Sequence, residues 1–385
     1  MRIGVPAEIK ESEYRVGLTP EAVREFVAAG HDVSVQTGAG SGINASDQAY
    51  IAAGATITGT SAEIFSDSEM IIKVKEPQES EWTRLREGQI LFAFLHLAAD
   101  LAQAKGLLGS GCTAIAYETV TGPDGQGLPL LAPMSEVAGR LSIEAAGAAL
   151  QSHNGGRGIL LGGVPGVPPA KVAVLGGGVA GTQAARMAVG LGADVTILDR
   201  SLPRLRLLDE LFQGRAKTRF ATVAAIEEAV CAADAIIGAV LIPGAAAPKL
   251  VTKQMLREMK KGAVLVDISI DQGGCFETSH PTTHAHPTFL KDGVVHYCVA
   301  NIPGAVPMTS AQALNNATLP YGLALAAEGL GAIMKTPGLR GGLNVHRGQI
   351  THPAIATSLG FAATPPEEAL SQRAASAPAF ALELR

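Results

Sequence analysis

The sequence predicts an α/β protein built as two doubly wound, Rossmann-like domains, the first discontinuous along the chain, with a cleft between them. Three observations lead there. An apolar run at 172–175 is followed by Gly176, Gly178 and Gly181 in G-x-G-x-x-G spacing, an alanine-rich helical stretch, and a second apolar run ending in Asp199. Short apolar runs alternate with helical stretches both before and after this segment, the pattern of a parallel sheet covered by helices on its faces. The 385 residues, 47% of them hydrophobic, are enough for two or three cores at roughly 150 residues each.

In chain order, residues 2–6 read as a strand and 8–15 as a polar loop. Thr19 can cap a helix that has Pro20 in its first turn and ends near Gly30. A strand is expected at 31–36, helices at 46–53 and 62–65, and strands at 70–74, 90–95 and 113–117. A long helix follows at about 135–152, then a glycine- and proline-rich connector at 155–169. After the glycine segment, helices are expected at 224–232 and 254–259, and strands at 235–240, 263–268 and 294–298. An apolar helix at 310–334, with Pro320 as a kink or start, needs a partner and is placed back on the first domain. The expected division is therefore 1–130 with 310–363, then 131–309, and a loosely held tail at 364–385 rich in Ala, Pro, Glu and Ser.

The glycine segment carries its own chemistry. The first glycine permits a tight turn, the second lets backbone approach a pyrophosphate, and the third lets helix pack on strand. The helix start offers free N–H groups to phosphate. Asp199, 18 residues after Gly181 (199 − 181), suits a ribose 2′-OH and should repel a 2′-phosphate. NAD is thus expected over NADP, although Arg200 beside the acid could hold a phosphate.

Bulk properties exclude other classes. Net charge is −5, aromatic content is 4%, and no Lys/Arg block occurs, so a nucleic-acid footprint is not expected. The N-terminal residues are too charged for a signal peptide, and no apolar run reaches the ~20 residues of a membrane helix. Four scattered cysteines fit a reducing compartment, so the expectation is a cytoplasmic protein.

In open α/β sheets ligands lie beyond the carboxyl ends of the strands. Lys75, His96 and Asp271 stand at such ends, and Arg15 lies in the loop after the first strand. Arginine grips carboxylates bidentately, lysine can polarise a carbonyl, histidine can pass a proton near neutral pH, and aspartate can orient water. That set suits a small carboxylic acid beside a nicotinamide. Cys275, His280, His284 and His286 have spacings that could ligate zinc, but the turn-rich loop offers no scaffold, and no metal is expected.

These residues lie in motifs that resemble those of the alanine dehydrogenases, which share a superfamily with the NAD-binding component of transhydrogenase. They are EYRVGLTP around Arg15, IKVKEP around Lys75, FLHLAA around His96, TAIAYETV, LLAPMSEVAGRL, GGRGILLGGVPGV, GAVLIPGAAAPKLV, DISIDQGGCFE around Asp271, PTTHAHPTF and ANIPGAVP. The resemblance runs from Met1 to about His352. It implies NAD-dependent, reversible oxidative deamination of L-alanine to pyruvate and ammonia. His96 and Asp271 would be catalytic, and Arg15 and Lys75 would bind substrate. Ser135, Val179, Ala180, Asp199, Arg204, Val240, Leu241, Ile268, His280, Asn301 and Ile302 would line the NAD site with the three glycines. A homo-oligomer, a hexamer in the family, is also implied. Rival readings are a transhydrogenase-like component, a saccharopine dehydrogenase and a non-catalytic NAD-binding protein.

Overall fold

The computed structural model describes residues 1–240 and 247–371. The chain divides into two compact units, one formed by Met1–Pro133 together with residues from Val306 onward, the other by Met134–Ala305.

In the first unit, strands β1 (Arg2–Val5), β2 (Asp32–Gln36), β3 (Thr56–Thr58), β4 (Met70–Ile72), β5 (Ile90–Ala93) and β6 (Thr113–Ala116) pair in the order β6-β5-β4-β1-β2-β3, every pair parallel. The second unit holds β7 (Lys171–Leu175), β8 (Asp194–Asp199), β9 (Ala216–Phe220), β10 (Ala235–Gly238), β11 (Val264–Asp267), β12 (Thr288–Lys291) and β13 (Val294–Tyr297). Their order is β12-β13-β11-β10-β7-β8-β9, parallel except for the β12–β13 hairpin at the edge. The chain then returns to the first sheet with β14 (Leu343–His346), antiparallel on β6, and β15 (Gln349–Ile350). The α/β class with two doubly wound, mainly parallel sheets is as the sequence led one to expect.

The strands are apolar on both faces because both faces are covered. In β7, Val172 and Val174 join a core with Ile197, Ala184 and Ile143, while Ala173 and Leu175 join a second core with Ile236, Leu265 and Val230. Each such aliphatic side chain contributes roughly 1.5–3 kcal/mol by leaving water. Helix starts are set locally: Thr19, Ser46, Asp100, Ser201, Thr222 and Thr252 each accept an N–H of the first turn, and Thr60 with Glu63 makes a reciprocal capping box.

Several elements differ from expectation. The long C-terminal helix starts earlier, at Pro307, passes through Pro320, and stops at Glu328, where Gly329 (φ +57°) separates it from a short helix, Leu330–Lys335. It lies against the helix Pro20–Ala28, with a Cβ on Gly322 coming within 2.9 Å of the Phe26 ring. Its Asn315 accepts from Thr19 N (2.9 Å) and donates to Gly17 O (3.2 Å), fixing the loop after β1. The helix Leu202–Phe212 and strands β3, β9, β12, β14 and β15 were not expected from the sequence. The loosely held tail does not begin at 364: Thr364 N donates to Ile350 O (2.9 Å), and Pro366–Ser371 is a helix with Ala369 buried and Glu367 paired with Arg340. Among the described residues no helix is long and apolar enough to cross a membrane.

One buried group makes stability depend on pH. His296 in β13 is fully buried, its Nε2 2.7 Å from Thr278 Oγ1, and burial pushes its pKa from 6.5 down to about 4. The fold holds the ring neutral while the unfolded chain protonates near 6.5. This stabilisation is therefore complete above pH 6.5 and lost as pH falls toward 4, amounting to ~3 kcal/mol at most. Denaturant titrations at pH 7 and pH 4.5 should show that loss in the parent. It should be smaller by about this amount in His296→Gln.

Candidate functional site

In the first unit the candidate residues come from three segments beyond the carboxyl ends of β1, β4 and β5. Arg15 is buried, although it lies in a loop, because Glu13 grips it. Glu13 Oε1 accepts from Arg15 Nε (2.6 Å) and from Arg15 N (2.9 Å), and Oε2 pairs with Nη2. The guanidinium is thus preset in orientation. Gly17 and Gly42 keep the loop tight, since a Cβ on either would strike backbone of Ile72 or Tyr14.

Lys75 follows β4 and is also buried, its Nζ 3.6 Å from Glu76 Oε2. The Glu76 carboxyl is pushed up by burial, but Lys75 and Lys10 outweigh this and hold it below the usual range. Two positions earlier, Lys73 centres an ion cluster whose side chains are buried. Lys73 Nζ donates to Glu8 Oε2 (3.1 Å) and Glu81 Oε1 (2.8 Å), and Glu8 Oε1 accepts from Val74 N (2.7 Å). Burial raises the Glu8 carboxyl despite Lys73. The cluster fixes the backbone that carries Lys75.

His96 follows β5 and, unlike the two cations, is exposed. Its backbone is left-handed, φ 49° and ψ 35°, a conformation that costs a non-glycine residue about 1–3 kcal/mol. The ring stacks on Phe94, with centroids 5.7 Å apart and planes within 4°, and Phe94 is braced edge-on by Tyr117. Lys75 and His96 both lie within electrostatic reach of Glu76, so these two predicted residues share one neighbourhood.

In the second unit the glycine segment adopts the turn its spacing implied. Gly176 has φ +99° and a Cβ there would press on Ala239 O, while a Cβ on Gly181 would strike Gly176 O. Gly178 and Val179 are exposed, and nothing lies within 4 Å of a Cβ built on Gly178. Among the described residues no side chain caps the helix Val179–Gly190, which leaves its first N–H groups, including Ala180, suited to a ligand. Asp199, at the end of β8, accepts from Gly177 N (2.7 Å) and Ser201 N (2.8 Å). Arg204 donates from Nε to Gly177 O (2.5 Å) and from Nη2 to Thr182 Oγ1 (2.7 Å). The bare glycine turn, free N–H groups and adjoining carboxylate fit the pyrophosphate and ribose of a dinucleotide.

Val240 continues from β10 with its N–H and C=O both held by Ser269 Oγ, at 3.1 and 2.7 Å. Leu241 lies outside the described residues. Ile268 and Asp271 fall on the short 3-10 turn Ile268–Gln272 after β11, where Asp271 is exposed. Two acids stand at this strand end, and they differ. Asp267 is fully buried and accepts from Cys275 N (2.9 Å), Ser269 N (3.1 Å) and Ser279 Oγ (2.5 Å). His280 is exposed and stacks on Phe289 (3.8 Å), which stacks on His296 (4.6 Å). Asn301 is left-handed (φ 58°) and its carbonyl lies 3.1 Å from His284 Nε2, next to buried Ile302. Ser135 is half-buried in the first turn of Ala132–Ala149.

The zinc spacing does not become a cluster. Cys275 is buried against Asp267, His280 is stacked, and His284 faces a carbonyl. Among the described residues no three His, Cys, Asp or Glu could share a metal.

Sequence reasoning missed Glu13, Glu8, Glu118, Ser269 and Thr182. All act on the backbone or side chain of a named residue. Only Glu13, two positions from Arg15 and of opposite charge, left a signal that spacing could have found.

Two family models match nearly end to end: alanine dehydrogenase/PNT, N-terminal domain, over residues 4–138, and alanine dehydrogenase/PNT, C-terminal domain, over 142–353. The chain is 60% identical to alanine dehydrogenase of Halomonas elongata over 362 residues, covering 94% of this chain and 97% of that one. It is 52% identical to alanine dehydrogenase of Bacillus subtilis over 372 residues, covering 96% and 98%. A solved L-alanine dehydrogenase superposes with TM-score 0.90 at 50% identity, covering 94% and 99% of the two chains. A transhydrogenase from Sinorhizobium meliloti superposes at 0.78 with 27% identity, covering 92% and 100%. On the match of both family models and of full-length relatives, this chain belongs to the alanine dehydrogenase/PNT family.

Proposed function

We propose that this protein is an L-alanine dehydrogenase that converts L-alanine reversibly to pyruvate and ammonia with NAD. The observation that carries the reading is the preset pair of buried cations, Arg15 and Lys75, sharing a unit with an exposed, conformationally fixed His96. A dinucleotide-binding turn stands at Gly176–Gly181 of the same family-matched chain.

Arg15 binds the substrate carboxylate, its fork held in plane by Glu13. Lys75 binds the carboxylate of alanine or the oxo group of pyruvate, and its position is fixed by the ion cluster around Lys73. Alanine bound this way loses its freedom to rotate. Such positioning can account for several of the roughly 7–11 kcal/mol available from orientation. When bound, NAD would supply the acceptor for the hydride that leaves Cα. Hydride leaves alanine in its free-amine form to give an iminium; His96 takes the proton released as water adds to it and returns that proton to the carbinolamine nitrogen, and ammonia departs as the hydroxyl proton passes to solvent water. Asp271 orients that water and offsets positive charge on the imine. Gly176, Gly178 and Gly181 with Val179 and Ala180 hold the pyrophosphate, and Asp199 and Arg204 hold the adenosine ribose. Ser135, Val240, Leu241, Ile268, His280, Asn301 and Ile302 line the remainder. Asp199 favours a free 2′-OH, hence NAD, despite exposed Arg200. The protein acts in the cytoplasm and as a homo-oligomer, a hexamer on family grounds.

The test is absorbance at the NADH band with NAD and a panel of L-amino acids, repeated with NADP. L-Alanine with NAD should give the highest kcat/KM. NADH formation with no preference for alanine, or cofactor binding without turnover, would overturn the reading. A transhydrogenase-like component would instead exchange hydride between dinucleotides.

A further inference from the structure

Beyond the residues that touch substrate, we infer that Glu118 is the positioning residue for His96; the inference rests on the reading of His96 as the proton carrier. Glu118 stands in the 3-10 turn Tyr117–Thr119, directly after β6, the parallel neighbour of β5. Its Oε1 accepts from His96 N at 2.6 Å, and both its oxygens lie 3.2 Å from Leu95 N. Phe94 N, the first beyond β5, still donates to Val74 O (3.0 Å), and the carboxylate takes the next two N–H groups. From the other side, Gln103 Nε2 donates to Leu95 O (3.0 Å). The peptide joining Leu95 to His96 is therefore held at its N–H by Glu118 and at the preceding carbonyl by a buried glutamine.

The consequence lies in the His96 backbone. At φ 49° and ψ 35° it occupies a region a histidine enters only when its surroundings require it. Relaxing to the ordinary extended or right-handed region would swing the imidazole away from the Phe94 face on which it stacks. Glu118 touches no substrate in this account. It fixes the one backbone torsion that decides where the proton-carrying ring points, much as Glu13 fixes the Arg15 fork.

A carboxylate that only closed off two N–H groups would change stability and leave the folded enzyme's chemistry alone. A positioning residue lowers kcat while substrate and cofactor affinities hold, and it does so only where His96 is present. The experiment compares parent, Glu118→Gln, Glu118→Ala, His96→Ala and the His96→Ala/Glu118→Gln double variant. It reads kcat, KM for L-alanine, NADH affinity by fluorescence, and melting temperature. The expected result is a fall in kcat of about tenfold in Glu118→Gln, whose amide oxygen still accepts one N–H, and about a hundredfold in Glu118→Ala. KM and NADH affinity should stay within about threefold. The double variant should be no slower than His96→Ala, because the two act through one group. Should Glu118→Ala fail to fold, Glu118→Gln and the double variant decide alone. Parental kcat in Glu118→Gln, or a further multiplicative loss in the double variant, would overturn the inference. If His96→Ala itself turned over at parental rate, the reading of His96 would fail instead, a result distinct from failure of Glu118 alone.

Discussion

Replacing His96 with alanine should lower kcat by about 10²- to 10⁴-fold, the span of a lost proton carrier, and leave NADH binding intact. The reason is structural separation of duties. His96 belongs to the first unit, and the glycine turn, Asp199 and Arg204 belong to the second. The imidazole is exposed, and among the described residues its one ring partner is Phe94. Truncation therefore leaves no buried polar group unsatisfied, and the backbone bonds from Leu95 and His96 to Glu118 do not involve the side chain. The variant should melt close to the parent. Stopped-flow or steady-state NADH formation, beside fluorescence titration of NADH, checks both halves. A variant that deaminates alanine at near-parental rate removes His96 from the mechanism.

Arg15→Ala should raise KM for L-alanine and pyruvate by about 30-fold or more, the equivalent of some 2 kcal/mol or above for a lost buried carboxylate partner. Here the fold also suffers. Glu13 has a fully buried side chain and would lose the guanidinium paired with it, a loss of about 3–5 kcal/mol of stability. The two effects can be separated. In Glu13→Gln/Arg15→Ala the buried carboxylate charge is gone too, so much of the melting temperature should return while KM stays high. Arg15→Lys keeps a charge but not the two-pronged geometry, so it should recover part of the affinity only. If the double variant bound alanine as the parent does, Arg15 would be a structural ion and not a substrate ligand.

The fold was legible because both sheets are mainly parallel and buried on both faces. Runs such as Val172–Leu175 and Ile236–Ile237 then read as strands without alternation, and the glycines between them mark the crossover. What escaped notice was local and weakly apolar. β14 follows Gly341 and Gly342 and holds Asn344 and His346, so it reads as loop. It becomes a strand because β6 offers an edge and Asn344 Nδ2 finds Thr119 Oγ1 at 2.8 Å. β12 has apolar residues only in its middle and exists by pairing with β13.

The candidate site was legible to a similar depth. Lys75, His96 and Asp271 at strand ends, and Arg15 in the loop after β1, stood out as candidates because chemistry-bearing residues at such places are conspicuous. What holds them was not. Glu118 lies 22 positions from His96 and acts on backbone N–H groups, which carry no sequence signature. Asp267 and Asp271 are acids at the end of one strand, four positions apart. Burial tells Asp267, whose carboxyl is raised by desolvation, from the exposed Asp271.

The most direct test follows the hydride. With L-alanine deuterated at Cα, NAD and the purified protein, mass spectrometry of the reduced cofactor should show one added deuterium. The initial rate should show a primary isotope effect wherever hydride transfer limits turnover. Reduced cofactor without deuterium, or no reduced cofactor although NAD binds, would contradict the account.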